Sequence, residues 1–128
     1  MKKLFILFII LISCNTDVNE QQWQKGNLHA HSFWSDGDDF PEMIIDWYKK
    51  NDYKFIALSD HNTIADGVYW YKIKQSDIEN KTLKKYQERF NDWVESKSDS
   101  LGTYVRLKTF EEYKSKLEEF NKFVIIRS

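Results

Sequence analysis

Three successive changes in the spacing of apolar residues predict a strand, a helix and a second strand in the first half of the chain. Residues 23–32 (WQKGNLHAHS) have no helical period and are predicted to form a strand. Residues 38–51 (DDFPEMIIDWYKKN) repeat apolar positions at helical spacing and predict a helix. Residues 53–60 (YKFIALSD) contain a short apolar run that is typical of a buried parallel strand. This order is that of a βαβ unit and indicates an α/β fold.

The predicted helix carries its own start signals. Pro41 suits the first turn, and Asp38 or Asp39 is predicted as the N-cap. One apolar stripe is predicted to pack in the core, and it consists of Phe40, Met43, Ile44, Trp47 and Tyr48.

The sequence of the second half of the chain predicts a long excursion, that is, an inserted segment between the second and third strands. Within residues 62–109, a helix is predicted from Leu83, Tyr86, Phe90 and Trp93, followed by a hairpin that turns at residues 96–102. Thr109 and Glu112 have the spacing of a capping box at the start of another helix. Residues 122–128 (KFVIIRS) predict a third buried strand. Because such a strand needs neighbours and covering helices, the chain is expected to be a truncated part of a larger barrel or sheet.

The first residues have the pattern of an export signal. Nine apolar residues, Leu4–Ile12, follow two lysines; a bilayer span needs roughly 20, whereas a signal peptide needs fewer. The run leads into Leu-Ile-Ser-Cys, which resembles a bacterial lipobox ending at Cys14, the only cysteine. Residues 1–13 are therefore predicted to be a lipoprotein signal peptide and residues 14–24 a polar tether. An ordinary secretory signal with an incidental cysteine is the alternative.

Composition narrows the class of protein without fixing its activity. The 128 residues are 41% hydrophobic and carry a net charge of -1, which fits one globular domain behind the tether. Because there is no basic excess, no nucleic-acid partner is expected. The expected location is extracytoplasmic, with the protein anchored to a bacterial membrane through lipid at Cys14.

The candidate chemistry lies in the three histidines. His29 and His31 occur in GNLHAHSFWSDG, two residues apart on the first strand, so that both project from one face. Asp36 follows five residues after His31. His61 comes directly after Asp60, at the end of the second strand. Since sites in parallel α/β folds gather at the carboxyl ends of the strands, these side chains are expected to converge.

Imidazole and carboxylate groups in this pattern indicate a metal site. They are the ligands that Zn²⁺, Mn²⁺ and Fe²⁺ take in proteins. A histidine pair on one strand is a weak signal alone, because two histidines are often surface or core residues. Its combination with an aspartate before glycine, and with Asp-His at the end of the next strand, is much more specific.

The motifs NLHAHSFWSDG and ALSDHNT resemble the first two motifs of the PHP (polymerase and histidinol phosphatase) domain. Asn27 stands where the family usually has Asp, and Ser32 where it has Thr, while the ligand positions match. The resemblance covers residues 25–128. It implies a distorted (β/α)7 barrel, of which the chain holds the first three strands and stops just before the next metal-binding glutamate.

The resemblance also implies a metal-dependent phosphoesterase. Two or three divalent ions (Zn, Mn or Fe) would activate a water that hydrolyses phosphate mono- or diesters. His29 and His31 would bind one ion, and Asp36 and His61 a neighbouring one. Asp60 would orient His61 or a metal-bound water. The substrate would be a phosphorylated small molecule or a phosphodiester.

Two other functions stay open at the level of sequence. An amidohydrolase-type metal hydrolase also places a histidine pair on the first barrel strand, although Ser-Asp-Gly and the early Asp-His favour PHP. An inactive truncated lipoprotein or a surface binding module is the alternative that involves no catalysis.

Overall fold

The computed structural model describes residues 22–128, which form a parallel and an antiparallel sheet with three helices. A short 3-10 turn, Asn91–Trp93, joins the second helix to the fourth strand. In chain order the elements are β1 (Gly26–Ala30), α1 (Pro41–Lys50), β2 (Phe55–Leu58), β3 (Tyr69–Lys72), α2 (Asp77–Phe90), β4 (Ser96–Asp99), β5 (Gly102–Leu107), α3 (Phe110–Leu117) and β6 (Val124–Ile126).

The parallel sheet has the strand order β1-β2-β6, with β2 in the centre. Helices α1 and α3 pack on one face of this sheet and form a core with it. That core consists of Ile45, Ile56, Leu58, Phe110, Tyr113, Leu117, Phe123 and Ile125. The prediction of an α/β fold is confirmed, as are the helix after β1 and the capping box at Thr109. The hairpin before it is also present, but the prediction that it turns at residues 96–102 is wrong, because Ser96–Asp99 pair with β5 and only residues 100 and 101 lie between the two strands.

Strand β6 differs from its prediction in burial. Ile125 is 1% exposed, but Val124 and Ile126 are 45% and 39% exposed. The expectation of a fully buried strand is therefore wrong. Neighbouring residues of a strand point to opposite faces, and the two helices cover only the face on which Ile125 lies.

Strand β1 is shorter than predicted and ends at Ala30, so that His31 begins a loop. Gly26 stands opposite Phe55 on β2, and a Cβ atom at residue 26 would lie 2.0 Å from the Phe55 Cζ atom. The absence of a side chain at Gly26 thus lets the Phe55 ring lie across β1.

The antiparallel sheet, of order β3-β5-β4, occupies the predicted excursion. The hairpin of β4 and β5 was expected, whereas β3 was not. This sheet shares a second core with α2 and with the loop that follows β1. The core consists of Phe33, Phe40, Ile73, Tyr86, Val105 and Leu107. Trp34 connects the same loop to the end of β5, because its Nε1 atom donates to the Lys108 carbonyl oxygen at 3.0 Å.

The N-cap of α1 is Phe40, and the prediction of Asp38 or Asp39 at this position is wrong. The Phe40 side chain is fully buried, and Pro41 begins the helix directly after it. Asp39 instead accepts a hydrogen bond from the Phe40 backbone nitrogen at 2.8 Å. Packing of the Phe40 ring sets the start of α1, since no side chain caps it.

The predicted signal peptide, Cys14 and the tether up to residue 21 lie outside the described residues. Residues 22–24 of the tether are exposed and belong to no helix or strand. No helix within residues 22–128 is long and apolar enough to cross a membrane.

Candidate metal centre

The three histidines meet at the carboxyl ends of β1 and β2. The two strands are parallel, and the Ser59 backbone nitrogen extends their pairing by donating to the Ala30 carbonyl oxygen at 2.8 Å. The ring centroids of His29 and His31 are 4.6 Å apart, and those of His31 and His61 are 4.2 Å apart. The parallel register thus brings together residues that are 30 positions apart in the chain.

A tight turn after β1 carries Asp36 back to the histidines. The backbone nitrogens of Ser35 and Gly37 both donate to the Ser32 carbonyl oxygen, at 2.9 and 3.0 Å. A Cβ atom at residue 37 would lie 2.3 Å from the His31 carbonyl oxygen. Only glycine therefore fits where the turn closes on the backbone of His31.

Asp36 lies between two of the histidines. Its Oδ1 atom is 2.9 Å from His31 Nδ1, and its Oδ2 atom is 3.7 Å from His61 Nε2. Desolvation opposes ionisation, but the charges of His61 and His31 and the hydrogen bond from Ser35 hold the pKa of Asp36 below its ordinary value. The carboxylate is therefore ionised at neutral pH.

Three of the four predicted ligands form one group. His31, Asp36 and His61 each offer a ligand atom, and these atoms lie within 4.8 Å of one another. His29 is outside this group, and its Nδ1 atom lies 2.9 Å from the Ser59 hydroxyl oxygen. The predicted division of the four residues between two ions stays a prediction.

An unpartnered nitrogen in this group makes the donor set compatible with a metal ion. The Nε2 atom of His31 is buried and has no hydrogen-bond partner among the described residues. A buried polar atom without a partner costs free energy, and a metal bond would satisfy it. The side chains of Asp36 and His61 are 65% and 56% exposed, so that the group stays open to solvent and to a ligand. Two imidazoles with a carboxylate suit Zn²⁺, Mn²⁺ or Fe²⁺.

Asp60, which follows β2, is hydrogen-bonded to the loop after β1 that contains Asp36. Its Oδ1 atom accepts hydrogen bonds from the Ser32 backbone nitrogen and the Ser35 hydroxyl, both at 2.7 Å. Its Oδ2 atom accepts from the Ser32 hydroxyl at 2.8 Å. The hydrogen bonds that the structure gives the Asp60 carboxylate thus come from these serines, and its predicted role towards His61 or a metal-bound water stays a prediction.

The serines that organise the site were not predicted from the sequence. Ser32 and Ser35 hold Asp60, while Ser59 contacts His29. The only sequence feature that sets these three serines apart is that each lies within four residues of a predicted ligand. Hydroxyl groups are too common in loops for that position to have singled them out.

A cavity of about 500 Å³ opens beside Asp36. Tyr71 and Lys74 line its other side, together with Ser76 and Glu79. The Tyr71 hydroxyl donates to Glu79 at 3.2 Å, which fixes this wall. The cavity is large enough for a small organic ligand.

No family profile, curated protein or solved structure matches this chain. The arrangement of the described residues, together with the motif resemblance, is therefore the basis for a functional proposal.

Proposed function

We propose that this chain is part of a metal-dependent phosphoesterase of the PHP type, which hydrolyses phosphate mono- or diesters. One observation carries the proposal: ligand atoms of His31, Asp36 and His61 lie within 4.8 Å of one another, at the carboxyl ends of two parallel strands. The buried, unpartnered Nε2 atom of His31 supports a metal ion over a simple ion pair.

The proposed architecture is the first part of a (β/α)7 barrel. Strands β1, β2 and β6 would be the first three barrel strands, since they are parallel and neighbour one another in that order. The antiparallel sheet with α2 would be an insertion between the second and third barrel strands. Each of the described ligands then lies on the end of the barrel where active sites form in such folds.

The residues of this chain divide the work of such a site. His31 and His61 offer imidazole nitrogens, and Asp36 adds a negative charge that favours a divalent cation. When bound, the ion lowers the pKa of a water molecule and offsets charge on the phosphoryl oxygens. Asp60 keeps the Asp36 loop in place through Ser32 and Ser35. The cavity beside Asp36 would receive a phosphorylated small molecule or a phosphodiester.

We propose further that lipid at Cys14 anchors the protein to a bacterial membrane outside the cytoplasm. The apolar run of residues 4–12 and the lipobox-like Leu-Ile-Ser-Cys support this location. No nucleic-acid partner is proposed, because the chain has no basic excess. Mass spectrometry of the protein from bacterial membranes would detect the lipid, and Cys14→Ala should release the protein from the membrane fraction.

The first experiment combines metal binding with hydrolysis. The chain is titrated with Zn²⁺ and Mn²⁺ by calorimetry and then assayed with these ions and Fe²⁺ on a panel of phosphate mono- and diesters. Asp36→Ala should lose metal affinity and hydrolysis together. Asp92→Ala is the control, because it removes an exposed carboxylate that lies outside both the metal group and the cavity beside Asp36.

Each outcome of this experiment decides something. Absence of metal binding by the wild-type chain would overturn the proposal. Metal-dependent hydrolysis of amides or lactones, without hydrolysis of phosphates, would assign an amidohydrolase-type enzyme instead. Tight metal binding without any hydrolysis would favour a binding module.

A further inference from the structure

Strand β1 contains one more residue than the stretch of β2 with which it pairs. Asn27 pairs with Ile56, and Ala30 pairs with Leu58, so that three steps along β1 match two steps along β2. Such a β-bulge changes the face to which the following side chains point. We propose that Asn27 is a positioning residue, whose side chain holds this bulge and thereby directs His31 into the proposed metal centre. The inference rests on that centre and names the residue that sets the direction of one of its ligands.

The bulge puts Asn27 and Ala30 on the same face of the parallel sheet. In a regular strand, residues three positions apart point to opposite faces. Here Ala30 packs against the core that α1 and α3 form with the sheet, and the Asn27 amide donates to the hydroxyl of Tyr48 on α1. Leu28 and His29, which lie between them, are both exposed. The extra residue is therefore accommodated on the open face of the sheet, which the helices do not cover.

The direction of His31 follows from that of Ala30. Neighbouring residues of a strand alternate between the two faces, so that His31 points to the open face, where its ring centroid lies 4.6 Å from that of the exposed His29. On this side the His31 ring centroid is 4.2 Å from that of His61, and its Nδ1 atom is 2.9 Å from Asp36 Oδ1. Without the extra residue the alternation would be reversed, and His31 would point at the helices. One residue thus decides whether His31 can meet its two partners.

The Asn27 side chain holds the backbone of the bulge. Its Oδ1 atom accepts a hydrogen bond at 2.9 Å from the backbone nitrogen of His29, two residues further along the chain. Asparagine forms this bond where the backbone leaves a regular pattern. The direction of the bond is fixed, because a backbone N–H can only donate and the acceptor must be the amide oxygen. The Asn27 Nδ2 atom donates to the Tyr48 hydroxyl, which holds the amide in this orientation.

The test measures the direction of His31 separately from the stability of the fold. NMR of the metal-free chain detects the contact between the His31 and His61 rings, and hydrogen exchange reports whether the His29 amide is hydrogen-bonded. Calorimetry with Zn²⁺ measures affinity. In the wild type we expect the ring contact and a protected amide. In Asn27→Ala we expect loss of both and a Zn²⁺ affinity lower by roughly 10- to 100-fold, in a chain that still unfolds cooperatively.

Two further variants serve as controls. In Asn27→Asp a carboxylate oxygen can accept from the His29 amide, and the Tyr48 hydroxyl can donate to the other oxygen. This variant should keep the ring contact, the protected amide and the Zn²⁺ affinity. Asn80→Ala removes an exposed amide side chain of α2 and should leave all three unchanged. Thermal unfolding of each variant shows whether the comparison is made between folded proteins.

Several outcomes would overturn the inference. They are an unprotected His29 amide in the wild type, a ring contact between His31 and His61 that survives in Asn27→Ala, and equal losses in Asn27→Asp and Asn27→Ala. Loss of cooperative unfolding in Asn27→Ala would also overturn it, since Asn27 would then support the whole fold and not the direction of one side chain.

The metal centre itself is tested apart from the bulge. Wild-type Zn²⁺ affinity in a variant that has lost the ring contact would overturn the inference, because the direction of His31 would then not matter to the metal. Failure of the wild type to bind Zn²⁺ or Mn²⁺, with a ring contact that still depends on Asn27, would instead defeat the proposed metal centre and leave only the role of Asn27 in the backbone.

Discussion

Glu42 has a fully buried side chain in the first turn of α1. Neither of its carboxylate oxygens has a hydrogen-bond partner among the described residues. The Tyr86 phenol, the Lys108 ammonium and the Glu112 carboxylate are the charged or titratable side chains that act on it from α2, the end of β5 and α3. Burial dominates and raises the pKa of Glu42 to about 7.

Because Glu42 is buried, we expect the free energy of unfolding to decrease as the pH rises. Because the folded pKa of about 7 exceeds the ordinary value of 4.5, the folded state binds the proton more tightly. The resulting stabilisation is complete below pH 4.5 and is lost as the pH rises through 7. Between pH 5 and pH 8 the free energy of unfolding should fall by roughly 2 to 3 kcal/mol, since one pKa unit corresponds to about 1.4 kcal/mol. Urea unfolding across this range measures the decline.

Glu42→Gln should remove most of this pH dependence, because an amide does not titrate. Glu88→Gln is the control, since Glu88 is an exposed residue of α2 and its replacement should leave the decline in place. An equal decline in Glu42→Gln and in the wild type would contradict the assignment to Glu42.

Replacement of Gly37 is expected to cause a steric clash and not strain in the backbone dihedral angles. A methyl group at residue 37 would collide with backbone atoms of His31 and Ser32 at 2.3 to 2.5 Å, and backbone cannot move aside as a flexible side chain can. Gly37→Ala should therefore lower both the stability, by about 1 to 3 kcal/mol, and the metal affinity, because it shifts the loop that holds Asp36. Thermal unfolding and calorimetry with Zn²⁺ measure the two effects.

Gly67→Ala is the matched comparison for Gly37→Ala. Gly67 has a positive φ of 70°, but nothing lies within 4 Å of the position that a Cβ atom would take there. Its replacement should cost only the strain of that conformation, about 1 kcal/mol, and leave metal affinity unchanged. If both variants kept wild-type metal affinity, the turn at Gly37 would not be what positions Asp36.

At the scale of single residues, spacing alone was enough to predict that the histidines meet. His29 and His31 are two apart at the end of β1, and His61 follows β2 closely, so the parallel pairing of the two strands brings them together even though its register shifts between Asn27 and Ala30. The roles of Ser32, Ser35 and Ser59 could not be predicted in this way. A hydroxyl gains a role only through a distance to one particular atom, and no periodic pattern in the chain encodes that distance.

Helix α3 has a complete capping box, and we expect this capping box to contribute measurably to the unfolding free energy of the protein. The Thr109 hydroxyl accepts from the Glu112 nitrogen at 3.4 Å, and the Glu112 carboxylate accepts from the Thr109 nitrogen at 2.9 Å. Thr109→Ala should cost about 1 kcal/mol of unfolding free energy, measured by urea unfolding. Thr82→Ala, in the interior of α2, should instead be neutral or slightly stabilising, because alanine is the better helix former. Equal effects of the two substitutions would contradict a capping role.

Among the elements, those with a strong local signal were predicted and those that depend on a partner were not. Pro41 and the apolar stripe predicted α1, and the capping box predicted α3. Strand β3 has only four residues, and it pairs with β5, whose central residues lie more than 30 positions later in the chain. Its strand conformation depends on this distant pairing, which no local pattern shows.

The prediction of an aspartate N-cap for α1 was wrong for a related reason. Asp38 and Asp39 have the side chains that usually cap helices, but a cap also needs the right place in the turn. Burial of the Phe40 ring against Tyr86, with stacked centroids 4.1 Å apart, fixes where α1 begins. Tertiary packing thus overrides the local preference for an aspartate cap.

For the molecule as a whole, the two cores are joined by charged contacts as well as by apolar packing. Arg106 on β5 contacts Glu95 and Glu112, and Glu112 belongs to α3 of the parallel unit. Hydrogen bonds from Arg106 lower the pKa of Glu95 and of Glu112 to about 2. Both carboxylates therefore stay ionised at the pH values where Glu42 titrates, and the link between the two units persists through that range.

The position of β6 in the parallel sheet has a consequence for the time course of folding. Its partner β2 precedes the antiparallel unit in the chain, and β6 follows it. The two strands can meet only after a long loop has closed, and the entropy cost of that closure falls once the intervening segment has collapsed. We therefore expect the hairpin of β4 and β5 to form early and β6 to dock late. The proposed metal ligands, which lie on β1 and in the loops after β1 and β2, would then gather before the sheet that supports them is complete.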